Sequence, residues 1–196
     1  MGVERLNLLI YQLSEDDRLA VTELRQHGVA VESAVWDSPL VDWSRYDGIV
    51  VRSAWDYHLR PDDFEGYAHL RAHGGVPIAA GENLHTVAEF TALIGAGGVD
   101  FPEPDFTTCG GITPWMKIAR LAEAHGLPVT SHGAHDVHVH LLAAVPNGAY
   151  LEVHGFGLDR FIAQPLDLRD GMAIAPDRPG HGIEFDWAAL ETYRVR

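Results

Sequence analysis

The chain has 196 residues with 28 acidic against 14 basic side chains, a formal charge of −14, and 46% hydrophobic and 9% aromatic content. That composition builds a packed core without staples, while an acidic balance shared by both halves leaves no basic face for nucleic-acid phosphates or anionic lipid. A lone Cys109 excludes an intrachain disulfide, and with no signal-peptide or membrane-spanning pattern the expectation is a soluble, cytoplasmic protein of one or two compact units.

Strand and helix patterns alternate along the chain. Leu6 to Leu13 is an apolar strand-like run, and Ser14 with Asp17 opens a helix that Gly28 closes. Val29 to Trp36 and Gly48 to Ala54 read as the next strands. Pro61 begins a helix carrying Phe64, Tyr67 and Leu70, ended by Gly74 and Gly75. Val76 to Ala80 is a short strand, and Thr86 with Glu89 forms a capping box for the helix bearing Phe90, Leu93 and Ile94. Val99 to Phe101 leads to Asp105, after which Thr113 and Pro114 read as the cap and first turn of a helix ending at Gly126. Pro128 to Ser131 leads to His132 and a helix over Asp136 to Ala144, and Tyr150 to Val153 is the last clear strand. The tail from Phe161, with Pro165, Pro176 and Pro179, is irregular and suits a small hairpin. Such alternation predicts an α/β fold with a parallel sheet and helical crossovers.

Four chemistry-bearing residues each end an apolar run ahead of a helix signal: Glu82, Asp105, His132 and Glu152. Active sites at the mouth of a parallel β/α barrel are assembled from such positions, but a complete barrel takes about 250 residues, more than this chain supplies.

Two resemblances meet near Pro61. From there onward the chain resembles the C-terminal half of an enolase-superfamily barrel of the mandelate racemase type, a group of acid-sugar dehydratases and racemases. The likeness rests on Gly81-Glu82-Asn83, Pro104-Asp105, Gly110-Gly111-Ile112-Thr113-Pro114-Trp115, Ser131-His132, His140-Leu141-Leu142-Ala143-Ala144 and Tyr150-Leu151-Glu152. The N-terminal part is similar to the domain preceding the ATP-binding core of ATP-grasp ligases, through Trp36-Asp37-Ser38-Pro39 and Val50-Val51-Arg52-Ser53-Ala54-Trp55-Asp56. The chain therefore reads as a chimera, a Rossmann-like segment over 1–60 joined to an enolase-type half barrel over 61–196.

The first resemblance implies Mg2+-assisted removal of the proton next to the carboxylate of a small acid-sugar substrate. Glu82 matches one metal ligand, and Asp56 and Asp37 stand in the preceding registers; with Glu82 alone the ion is held weakly. His132 and Asp105 match a proton-transferring dyad, and Glu152 an acid that hydrogen-bonds the substrate carboxylate. The family's lysine base on an earlier strand has no counterpart, because Lys117, the only lysine, falls inside a predicted helix. Two further readings stand beside this one. A non-catalytic hybrid would expose a sheet edge and self-associate as a homo-oligomer. ATP-grasp-related nucleotide binding lacks both phosphate-binding lysines and a glycine-rich loop. The run His132-Gly133-Ala134-His135-Asp136-Val137-His138-Val139-His140 also suits a transition metal, with His135 and His138 on one helix face and Asp136 and His140 on another. The plainer reading makes these loop and helix-surface histidines, with His140 packed under the barrel.

Overall fold

The computed structural model describes residues 5–9, 15–34, 38–51, 64–75, 77–154 and 156–195. The chain divides into two compact units, Met1–Tyr57 and His58–Arg196. Asp37, Asp56, Arg52, Trp55, Ser14 and Pro61 lie outside the described residues.

In the first unit, β1 (Arg5–Leu9) is the central strand of a three-stranded sheet of order β2-β1-β3, with β2 (Ala30–Ala34) and β3 (Gly48–Val51) both parallel to it. Parallel neighbours require a crossover between them, and α1 (Glu15–Gln26) makes the first, burying Val21 against Val31 with Leu24 and Val29 alongside. Gly28, at φ 82°, takes the left-handed turn that sends the chain from α1 into β2.

The second unit repeats short strand, loop and helix. α2 (Phe64–His73) buries Phe64, and its Arg71 pairs with Asp100, whose other oxygen accepts the Ile78 N–H. β4 (Ala79–Ala80) runs parallel to β5 (Phe101–Pro102), and β6 (Val129–Ser131) parallel to β7 (Gly148–Leu151). Between them come α3 (Val87–Gly95), α4 (Ile112–Ala124) and α5 (His135–Ala143). The core of this unit is Leu84, Phe90, Leu93, Val99, Trp115, Ile118 and Val129, each fully enclosed. The tail forms the antiparallel hairpin β8 (Asp167–Arg169) and β9 (Met172–Ile174), then α6 (Trp187–Glu191).

The capping box of α3 forms as its sequence predicts: Thr86 Oγ1 accepts from Glu89 N, and the Glu89 carboxylate accepts from Thr86 N at 2.7 Å. The start of α4 differs from the sequence expectation. Gly110 and Gly111, at φ 99° and 105°, fold the chain back so that Gly111 N donates to Phe106 O, and the helix begins at Ile112. Gly111, not Thr113, is the N-cap, and Pro114 stands third in the helix, where its missing N–H leaves no intrahelical bond unmade.

Gly81 follows β4 at φ 133°, and a Cβ there would stand 2.5 Å from the enclosed Phe90 ring and 3.3 Å from Glu103 N. Gly81→Ala is therefore expected to cost on the order of 2–4 kcal/mol, combining backbone strain with overpacking. A urea titration reads this, and an unchanged midpoint would show that the loop before Glu82 is not set by this contact.

Candidate functional site

The strand registers carry the site. Ser131 is paired with Leu151 across a register shift that gives β7 one extra residue, so the next residue on each strand, His132 and Glu152, emerge side by side. Likewise Ala80 is paired with Pro102, and Glu103 N donates to Ala80 O at 2.9 Å, which sets Glu82, Glu103 and Asp105 just past the ends of β4 and β5. Thr108 Oγ1 bridges the two loops by donating to the carbonyls of Glu82 and Asp105.

His132 Nδ1 donates to Asp105 Oδ2 at 3.1 Å, and His132 Nε2 stands 4.0 Å from Glu152 Oε2. Asp105 is almost wholly enclosed, with a side chain 2% exposed against 29% for His132 and 40% for Glu152. Burial raises the Asp105 pKa, but the hydrogen bonds from His132, from Thr107 N and from the Thr107 hydroxyl outweigh it and hold the carboxyl below its ordinary value. His132 is shifted upward, first by its hydrogen bond to Asp105 and then, against the opposing effect of burial, by the charges of Glu152, Asp105 and Glu82. With Nδ1–H committed to Asp105, the Nε2 lone pair of the neutral ring is the one able to take a proton.

Gly133 turns the chain away after His132 at φ 57°. Its N–H donates to Glu152 Oε2 at 2.7 Å, and a Cβ there would collide with the Phe156 ring. Phe156 in turn packs edge-on to the rings of His132 and His154, walling one side of the site.

Glu103, which the sequence did not single out, and His138, expected from it as a helix-surface residue, complete this geometry. Glu103, half-buried, is pushed up to about 7 by burial and then by the charges of Glu82 and Glu152, with His132 opposing. Its place in Pro102-Glu103-Pro104-Asp105, one residue past a strand end, was the available signal. His138 is fully enclosed and joins the two loops. It accepts from Phe106 N through Nε2 at 3.1 Å and donates through Nδ1 to Gly133 O at 2.6 Å. Burial lowers its pKa, as a neutral ring with both nitrogens so used requires. His138 therefore fixes the backbone directly after Asp105 and directly after His132.

The plainer reading of the histidine run is corrected in the same stroke. His135 and His138 are buried rather than on the surface, and they do not act together: His138 bonds to backbone, whereas His135 faces Asp136 and Asp159. His140 Nε2 contacts His181 O in the tail. Cys109 is enclosed, and burial, aided by the charge of Asp105, pushes its thiol up to about 11, which leaves it unreactive.

Glu82, Glu103 and Glu152 thus bring three carboxylates toward one space. Glu82 Oε2 accepts from Gly81 N and Oε1 from Asn83 Nδ2. Carboxylates are the oxygen donors that a hard divalent cation such as Mg2+ takes, and Glu103, raised first by burial, also feels the charges of Glu82 and Glu152.

The chain resembles known proteins in sequence and in structure. Among curated proteins, the 3,6-anhydro-alpha-L-galactonate cycloisomerase of Streptomyces coelicolor is 48% identical over 130 residues, 66% of this chain and 36% of that protein. The L-talarate/galactarate dehydratase of Salmonella typhimurium is 42% identical over 123 residues, 63% of this chain and 30% of that protein. A racemase from Streptomyces coelicolor A3(2), solved with bound magnesium, superposes with a TM-score of 0.67 at 33% identity, covering 99% of this chain and 56% of that one. L-Talarate dehydratase from Polaromonas sp. JS666, complexed with Mg and L-glucarate, gives 0.66 at 32% identity over 97% of this chain and 53% of that one. The chain thus spans about a third of the length of these curated relatives and about half that of the solved ones. Residues 4–78 match the N-terminal domain of the D-cycloserine synthetase DcsG, and residues 59–189 match the enolase C-terminal domain-like model. More than half of the chain lies within that second match, and the chain belongs to the enolase C-terminal domain-like family.

Proposed function

We propose that residues 61–196 perform Mg2+-assisted proton abstraction next to the carboxylate of a small hydroxy acid of the acid-sugar class. The observation that carries this reading is the His132–Asp105 pair, with Nδ1 engaged at 3.1 Å and Nε2 turned toward Glu152. His132 Nε2 takes the α-proton, the C–H electron pair moves into the carboxylate, and Asp105 holds the ring in orientation and balances its new charge. Glu152 hydrogen-bonds the substrate carboxylate as negative charge builds there. Glu82 and Glu103 would supply carboxylate ligands; Asp56 and Asp37, the other ligands expected from the sequence, lie outside the described residues. When bound, Mg2+ supplies the positive charge against which the substrate carboxylate is stabilised. Among the described residues, Lys117 sits within α4 and offers no second base, so the chemistry is one-sided and slow rather than a racemisation.

The N-terminal segment, residues 1–60, is in this reading a Rossmann-like piece of ATP-grasp type joined to an enolase-type half barrel. Its parallel β2-β1-β3 sheet and its match to the synthetase N-terminal domain support that origin.

The test is incubation of the full chain with a panel of acid sugars and Mg2+ in heavy water, followed by NMR. Deuterium is expected at the carbon next to the carboxylate without change of configuration. No exchange with any acid sugar would sink the reading and leave a non-catalytic hybrid that self-associates through a sheet edge.

A further inference from the structure

His135 opens α5 and is 4% exposed. Its Nδ1 meets no hydrogen-bond partner, so the ring's polar contacts run through Nε2, which stands 3.3 Å from Asp136 Oδ2 and 3.6 Å from Asp159 Oδ1. All three ligand atoms lie within 4.8 Å of one another. Asp159 comes from the short 3₁₀ turn Asp159–Phe161 that follows the loop after Glu152.

These separations exceed the about 2.7–2.9 Å of an imidazolium donating to a carboxylate. They match the edge of a tetrahedron around a cation with bonds of about 2.0–2.2 Å, which is about 3.3–3.6 Å long. A single proton on Nε2 points along only one of the two lines, whereas a cation among the three atoms satisfies both carboxylates and the imidazole together. Two carboxylates that face the same nitrogen of a buried imidazole are a place where an ion is to be expected. The two carboxylates supply the negative charge that a cation needs at the positive end of a helix.

The geometry points to a second cation site at His135, Asp136 and Asp159, separate from the Glu82 group and suited to a zinc-type transition-metal ion. One imidazole with two carboxylates and an open fourth position favours such an ion over Mg2+, which prefers an octahedral oxygen shell. Occupied, it clips the 3₁₀ turn to the start of α5 and so fixes the segment that carries Phe156 past His132. The inference stands independently of the proposed reaction.

The experiment is calorimetric titration of Zn2+ into the chelator-treated full chain, with Mg2+ in excess throughout. One equivalent is expected to bind in the micromolar range or tighter. Asp159→Asn should weaken it by about tenfold or more. The Asp159 side chain is 55% exposed, so this change spares the core, and it leaves all 12 histidines in place. Co2+ in place of Zn2+ should show the visible absorption of a tetrahedral site, lost in the same variant. No uptake would overturn the site. Uptake equal in wild type and Asp159→Asn would equally overturn it, by assigning the ion to other histidines.

Discussion

Trp115→Ala is expected to lower the stability of the second unit by about 3–5 kcal/mol. The ring is wholly enclosed on the inner face of α4, beside the rings of His138 and the core of Ile118 and Ala119. Its Nε1–H donates to Pro104 O at 3.0 Å, so the substitution also strands a buried carbonyl directly before Asp105. A urea titration read by amide exchange in α4 measures the loss. Because Pro104 is anchored by this bond, His132 should also titrate nearer its ordinary value in the variant. A loss below about 1 kcal/mol would mean that α4 is not held as described.

Asp105→Asn is expected to slow α-proton exchange by about 10²–10⁴-fold, the scale on which a buried carboxylate orienting a proton-transferring imidazole acts. The pH dependence separates this effect from simple misfolding. His132 must be neutral to accept a proton, so wild-type exchange rises with pH through its raised pKa. Without the Asp105 hydrogen bond, the largest cause of that shift, the rising limb moves to lower pH as the plateau falls. Stability follows the same linkage. The raised His132 contributes stability that is complete below its ordinary 6.5 and lost as pH rises through the folded value. The depressed Asp105 contributes stability present above its ordinary 3.8 and lost as pH falls through the folded value. The pair thus contributes fully in the window between those two ordinary values, and in Asp105→Asn the falls in stability on either side of that window should flatten. A rising limb that stays in place would show that Asp105 does not charge the ring.

What could be read in the sequence was mostly local. The Thr86–Glu89 capping box involves four consecutive residues and needs no tertiary partner, so spacing alone finds it. Glu82, Asp105, His132 and Glu152 were legible because apolar runs followed by helix starts mark strand ends. Bringing them into one space depends on the Ala80 to Pro102 and Ser131 to Leu151 pairings, which no local pattern encodes. The α4 start was misread because two adjacent glycines at positive φ can begin a helix ahead of a side-chain cap. Helix spacing grouped His135 with His138, but burial separates them: one ring is used on the backbone of two loops, and the other faces Asp159, 24 positions downstream. Glu103 stood one residue past a strand end in the sequence, but its raised pKa comes from burial and then from the charges of Glu82 and Glu152, which only the fold brings near it.

The most direct test of His132 as the proton-transferring group is the rate of α-deuterium incorporation into an acid sugar by wild type and by His132→Asn, under identical Mg2+. Asparagine approximates the polar shape of the ring but cannot carry the proton. The account predicts slow incorporation by the wild-type chain, with configuration retained, and none above background in the variant. Incorporation that persists in His132→Asn would contradict it.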